Sequence, residues 1–385
     1  SNLSTGDVID FIMVFGNSLS AGTPTDATVT TAKLADSAVT AAKITDATIT
    51  AAKLASGTVQ NQSAFKNIII NGDMSIAQRA TSASSLTSSG YHTVDRFRCV
   101  ISSAGTWTIS QSTTVPTGQG FAKSLKWDNT TADGSLGASD FVSVQQFIEG
   151  QNLQYLKKGT SNAESLTVSF WVRSNKTGTY ILELKDNDNT RAISQSYTIS
   201  SADTWEKKTL TFAGDTTGTL DNDNAASFLV QFALAAGSSY QSGTLQTSWG
   251  AETTANRYVG QVNLADSTSN EWYMTGLQVE VGTSASDFEF LPVDVNLARC
   301  QRYFEKTLDK FLFTGSGNVA DRAITLNYTV QKRATPTVTF SDITADGGGS
   351  LIAQTFSNAK HLCVEMSGGS GGRQFFANYK ADAEL

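Results

Sequence analysis

The chain has 385 residues, of which 28 are Lys or Arg and 35 are Asp or Glu, for a formal net charge of −7. That sign excludes a protein whose main partner is the nucleic-acid backbone, because phosphate binding draws on a clustered surplus of Lys and Arg. Charged residues make up only 16% of the chain and Ser plus Thr about a quarter of it, so uncharged polar groups cover the surface.

Two His, three Cys and four Pro leave little material for nucleophile–base pairs, His-rich metal sites or a disulfide framework. Cys99, Cys300 and Cys363 are far apart, with no CxxC spacing, and read as buried small hydrophobes. The longest apolar stretch, Phe228 to Ala236, contains a Gln and is too short to span a bilayer, so no membrane insertion is expected. There is no basic segment followed by an apolar core at the N-terminus, and no initiator Met; the chain reads as a piece of something longer.

In chain order, residues 1–20 come first, with Val8, Ile9, Phe11, Ile12, Val14 and Phe15 reading as a strand that closes an earlier domain. Residues 21–62 carry a ten-residue repeat, DATVTTAKLA, DSAVTAAKIT, DATITAAKLA, in which Val29, Leu34, Val39, Ile44, Ile49, Leu54 and Val59 recur five apart. A period of five fits neither a helix face nor a strand face. One large apolar residue in five is too thin a stripe to bury itself in a lone copy. Side-by-side copies could bury it along a shared axis, which predicts an intertwined homotrimeric shaft with Lys33, Lys43 and Lys53 outside. The alternatives are a flexible Ala/Thr linker and a single-chain solenoid, which would need more coils than these.

From residue 63 to 293 short strands alternate with polar turns. In 165–174, Leu166, Val168, Phe170 and Val172 alternate with Thr167, Ser169, Trp171 and Arg173, the period of a half-buried strand. Few residues read as helical, although Gln151 to Lys158 is compatible with a turn. Such a run implies a two-sheet sandwich or jelly roll. Residues 294–385 open on a helix that starts near Asp294, with Leu297, Cys300, Phe304 and Leu308 at helical steps, and then turn strand-rich again. Gly clusters at 346–350 and 367–373 read either as exposed tip loops that touch a receptor or as ordinary turns.

The ordered succession NIIINGDMSIAQRATS, YHTVDRF (91–97), FIEGQNLQYL (147–156), SFWVRSNKTGTY (169–180), TWEKKTLTF (204–212) and WYMTGLQVEVG (272–282) resembles the jelly-roll module of tailed-phage fibre proteins. The flanking FEFLPVDVNLARCQRYFEK (288–306), RATPTVTF (333–340), the terminal ANYKADAEL and the decapeptide repeat are similar to segments of the same fibres. The resemblance spans residues 26–385. It implies an all-β, homotrimeric tail-fibre segment of a virion: shaft, a jelly-roll β-sandwich similar in fold to carbohydrate-binding modules, and a small C-terminal β-rich tip. The partners it implies are other phage tail proteins and a host surface polysaccharide or lipopolysaccharide. No cofactor is expected.

Sugars bind to aromatic faces that stack on C–H surfaces, helped by amide and carboxylate hydrogen bonds. On this basis the candidate glycan-binding residues are Trp249 and Tyr240, in the Ser/Gly/Thr-rich connection 237–257, Trp171, opposite the apolar face of its strand, and Trp127, ahead of a polar run. Trp205 and Trp272 open core-like strands and read as structural. The acidic clusters at Asp186 and Asp221 lack the Gly and Glu positions of a helix–loop–helix calcium site, and Asx turns explain them, so no metal is expected. Glycoside cleavage needs two carboxylates at a set separation, and Glu149, Glu183, Glu280 and Glu289 are the available ones. Attachment without catalysis is the preferred reading. The alternatives are a purely structural fibre segment and a capsule-degrading tailspike. The shaft has a direct test: at micromolar concentration the particle is expected to have three times the chain mass by light scattering, and a monomer would remove the shaft.

Overall fold

The computed structural model describes residues 65–307, 309–315, 322–345, 350–353, 357–367 and 373–385, with residues 5, 6 and a few positions between 29 and 40 ahead of them. The chain divides into two units, Ser1–Gln60 and Asn61–Leu385. Most of the expected shaft and of the two Gly clusters lies outside the described residues. Of the five-residue stripe, Val29, Leu34 and Val39 are described, and all three are exposed.

The second unit is all-β, with a jelly-roll sandwich of two six-stranded antiparallel sheets at its centre. The first sheet runs in the order β1 (Ser82–Leu86), β3 (Thr106–Ser112), β4 (Ser124–Thr131), β12 (Glu271–Val281), β6 (Leu166–Ser174) and β9 (Glu206–Phe212). The second runs β11 (Gly250–Ala251), β8 (Arg191–Ile199), β7 (Gly178–Asp186), β10 (Ala226–Ala236), β5 (Phe141–Glu149) and β2 (Arg98–Ser102). The alternation read in β6 holds: Leu166, Val168, Phe170 and Val172 face the core, where the Phe170 ring sits 5.0 Å from both Phe232 of β10 and Tyr197 of β8. Between β5 and β6 the chain makes two short 3-10 turns, Gly150–Asn152 and Gln154–Leu156. The three cysteines are buried and unpaired, and no helix among the described residues is long and apolar enough to cross a membrane.

After the sandwich, α1 (Val293–Gln301) is shorter than the helical spacing predicts. Phe304 belongs instead to β13 (Phe304–Lys306), which pairs with β19 (Arg373–Asp382). Sheet pairing with the C-terminal strand outcompetes one more helical turn, because it buries Phe304 and lets the Glu305 carboxylate meet the fully buried Lys332 ammonium at 2.7 Å. β14 (Phe311–Gly315) and β16 (Thr337–Ala345) complete this sheet, and β15 (Arg322–Asn327), β17 (Ser350–Ala353) and β18 (His361–Ser367) form a three-stranded one. Leu362, Val364, Tyr379 and Ala381 bring the two sheets together in a small core.

The sandwich and the C-terminal segment meet at a polar seam. Arg96, fully buried, is ion-paired with Glu384, donates to the Phe147 carbonyl at 2.7 Å and lies 3.4 Å from the Tyr303 ring centroid. Arg79 reaches Asp382 at 3.0 Å and Glu384 at 3.3 Å, while the Tyr91 hydroxyl donates to the Leu385 carbonyl at 3.0 Å. Gln78 donates to Asp95 and to the Phe304 carbonyl, and Asn296 of α1 donates to Asp73 and Ser75. Within NIIINGDM, Asn71 takes a left-handed conformation at φ 63° and ties its amide to Ile76 and Asp95. Gly72 beside it has no room for a side chain, since a Cβ there would lie 2.1 Å from the Leu277 carbonyl oxygen. The segments NIIINGDMSIAQRATS, YHTVDRF (91–97) and the terminal ANYKADAEL thus meet in this seam. Glu384→Gln would leave the Arg96 charge buried without its partner, at a cost of about 3–5 kcal/mol. Asp382→Asn removes a carboxylate that is 44% exposed and is expected to cost about 1 kcal/mol or less. Chemical denaturation compares the two, and equal losses would contradict this account.

Candidate functional site

The four predicted site residues do not gather in one place. Trp127 is a correction: its ring is fully buried, edge-on to Trp107 at 5.5 Å and directly opposite Trp272 in the ladder. The polar run that follows it suggested a surface position, but alternation along β4 decides the face, so Leu125 and Trp127 point inward and Lys126 and Asp128 outward. Tyr240 and Trp249 lie in the long connection, which folds back over the second sheet instead of standing free. Tyr240 packs at 5.3 Å from Phe141 and 5.8 Å from Tyr258. Trp249 packs at 6.1 Å from Phe228, and its indole N–H donates to the Ala213 carbonyl at 2.8 Å.

The covering connection sits on a hydrogen-bonded chain that crosses four strands. Arg98 of β2 donates to Gln145 of β5, Gln145 to Gln231 of β10, and Gln231 to the Tyr258 hydroxyl, which donates to Glu183 of β7. Arg257 grips the same Glu183 at 2.5 and 2.9 Å and reaches Glu252, which meets Lys185 at 2.5 Å. Buried polar groups satisfied this fully rigidify the layer they join. Glu183 is therefore held by an arginine and a tyrosine. The other carboxylates considered for hydrolysis are held as well: Glu149 by Arg302 and Tyr303, Glu280 by Ser286 and Gln278, Glu289 by the Phe65 and Asn67 N–H groups. Burial pushes Glu149 up, but the bonds from Arg302 and Tyr303 outweigh it and hold the carboxyl below its ordinary value. Asp186, in one acidic cluster, is ion-paired with Lys158 and accepts from the Asn189 backbone and side chain. Among the described residues no cluster of three His, Cys, Asp or Glu is placed to hold a metal ion.

Trp171 is different. It projects from the outer face of the first sheet, half-buried, opposite Thr275 of β12 on one side and the exposed Lys207 of β9 on the other. Its indole N–H has no hydrogen-bond partner among the described residues. Diagonal to it is Tyr273, a distance that aromatic side chains can span. The Tyr273 ring lies 5.0 Å from the Arg173 guanidinium, 5.6 Å from the Lys126 ammonium and 6.2 Å from the Trp205 ring. Tyr273 donates to Glu271 at 2.6 Å, and Lys126 meets the same carboxylate at 2.6 Å. Burial, with the bond to Glu271 behind it, raises the Tyr273 hydroxyl above its ordinary value, so it stays a donor at neutral pH. Sequence reading left Tyr273 out and took Trp205 as structural. Tyr273 was recoverable, because an inward Trp272 forces its neighbour outward. Trp205 was not, since it stands just ahead of β9, where strand alternation does not apply.

The half-buried Trp171 and Trp205 rings can stack on sugar C–H faces, whereas the Tyr273 ring is buried beneath Arg173 and Lys126 and serves to position the groups around it. No protein-family model matches the sequence, and no curated protein does. Among solved structures, the chain is similar to the enzymatically active domain of tailspike protein 4 of bacteriophage CBA120 (12% identity, TM-score 0.30), over 56% of this chain and 22% of that one. It is also similar to the carbohydrate-binding module TmCBM61 in complex with β-1,4-galactotriose (9% identity, 56% and 99% covered, TM-score 0.29). A third is the family 11 carbohydrate-binding module of Clostridium thermocellum with a mixed-linked tetrasaccharide (12% identity, 50% and 91% covered, TM-score 0.24). The matched part is about a fifth of the tailspike chain, and similarity at this level assigns neither a family nor a ligand. The face assignments are tested by stability. Trp127→Ala is expected to cost about 3–5 kcal/mol and Trp171→Ala about 1 kcal/mol or less in urea denaturation, and the reverse order would invert the two faces.

Proposed function

We propose that this chain is a receptor-binding segment of a phage tail fibre, which attaches the virion to a host surface polysaccharide or lipopolysaccharide through the outer face of the first sheet. The observation that carries the reading is Trp171, presented outward with a free indole N–H and diagonal in the ladder to Tyr273, the ring that Trp205, Arg173 and Lys126 surround. The resemblance of the ordered motifs to those of fibre proteins supports the virion setting. The exposed Val29, Leu34 and Val39 support a homotrimeric shaft, because a stripe open in one chain is what neighbouring copies would cover. The reading includes no catalytic step: the four candidate glutamates are each engaged by donors of their own. Binding of the intact protein to a glycan array and to host envelope is the test. Trp171→Ala is expected to weaken binding roughly tenfold, the equivalent of about 1.4 kcal/mol, whereas Trp249→Ala leaves affinity within error in the folded fraction. Equal binding by wild type and Trp171→Ala would remove this face, and release of reducing sugar would replace attachment with hydrolysis.

A further inference from the structure

A second feature lies where the sandwich meets α1. A cavity of about 380 Å3 opens there, walled by Ile68 and Phe147, with Phe65 and Tyr155 at its mouth and Asn152 and Arg299 among its polar groups. That volume is at the small end of ligand pockets. The two mouth rings are unusually open for their size, Phe65 at 58% and Tyr155 at 49% exposure.

Arg299 is the informative residue. Its closest acceptor is the Asn67 carbonyl at 3.4 Å, and it forms no ion pair among the described residues. Glu289 acts on it only through space, because that carboxylate already accepts from the Phe65 and Asn67 N–H groups at 2.5 and 2.9 Å. Arg302, one helical turn on, shows the contrast: it holds Glu149 through two bonds of 2.8 and 2.6 Å. Burial pushes the Arg299 guanidinium down from its ordinary value, the sign of a cation whose lost hydration is only partly replaced. A guanidinium in a partly dry cavity without a carboxylate on it is half of an ion pair, and its fork geometry suits a carboxylate from outside. The Arg299 guanidinium lies 6.0 Å from the Phe65 ring centroid; the Tyr155 hydroxyl and the Asn152 amide, which have no hydrogen-bond partner among the described residues, can serve hydroxyl groups, and the Phe65 and Tyr155 rings can serve a C–H face.

We propose that this cavity binds a small carboxylate-bearing saccharide, a sugar acid of the hexuronate class, with Arg299 on the carboxylate and the two rings against the sugar. The site shares no residue with the Trp171 face and stands or falls apart from it. Titrations of the full chain with glucuronate, glucose and acetate, followed by ligand-observed NMR, test it. Glucuronate is expected to saturate the protein at millimolar concentration, with glucose and acetate each at least roughly tenfold weaker, the scale of one charge-assisted contact. Arg299→Gln is expected to bring glucuronate down to the level of glucose while the melting temperature holds or rises, since an uncompensated charge is removed. Arg299→Lys should recover part of the affinity, and Trp171→Ala should change none of it. Glucuronate bound no better than glucose, acetate competing equally with glucuronate, unchanged affinity in Arg299→Gln, or no saturable binding of glucuronate would each overturn the proposal.

Discussion

A guanidinium that has lost all contact with water has to be neutralised where it stands, and in this protein that requirement joins the two ends of the described fold. Arg96 is fully buried. Its carboxylate, Glu384, comes from the second-to-last residue, its carbonyl acceptor from β5 and its aromatic cover from Tyr303 just after α1. None of these partners is near it in sequence. The pair therefore forms only when the sandwich, the helix and the C-terminal strand are all in place, which makes it a condition on the whole second unit. The neighbouring contacts of Arg79, Tyr91 and Gln78 repeat the pattern, each tying a residue near the start of the sandwich to the segment after α1. Desolvated pairs of this kind add little net stability, but breaking one is costly, so they act mainly on which arrangement is tolerated.

The same logic explains what could be read from the sequence and what could not. Strand β6 was legible because its inward and outward residues alternate without interruption, and Trp171 came out on the correct side. Strand β4 has the same alternation, but the reading of Trp127 leaned on the polarity of the following turn, which says nothing about the face. The helix at 294 was legible in its start, with Asp294 in the first turn. Its end was not, because what stops it is the pairing of Phe304 with Asp382, a contact across most of the C-terminal segment. The motifs NIIINGDMSIAQRATS and YHTVDRF were conspicuous as sequence, yet their role as a seam depends on partners as much as three hundred residues away, as with Arg79 and Glu384, and no local period reports that.

The two outer faces of the sandwich have been given opposite fates. On the second sheet the connection after β10 lies down over the strands, and the chain of bonds from Arg98 through Gln145, Gln231, Tyr258 and Glu183 fixes it there. A Ser/Gly/Thr-rich connection looks like a binding loop in sequence; in this fold it leads into the buried Tyr258, stacked on Phe141, with the half-buried Tyr240 tilted against both rings. On the first sheet Trp171 and Trp205 are only half-buried. Polar bonds made by the face itself, Tyr273 and Lys126 on Glu271, orient the Tyr273 ring, which is buried with the Arg173 and Lys126 cations over it.

Helix α1 links the seam to the cavity. Its inward side is held by Asn296 on Asp73 and Ser75, by the buried Cys300, and by the Tyr303 ring beneath Arg96. With that side fixed, the helical repeat turns residues 299 and 302 toward the cavity at 147–155, and only one of the two arginines finds a carboxylate there. A second glutamate opposite Arg299 would have closed the cavity electrostatically, as Glu149 does for Arg302. The position is instead left with a backbone carbonyl at 3.4 Å. A helix held rigid for reasons of folding thereby fixes the backbone from which Arg299 reaches the cavity, so that ordering by an anion would be confined to that one side chain.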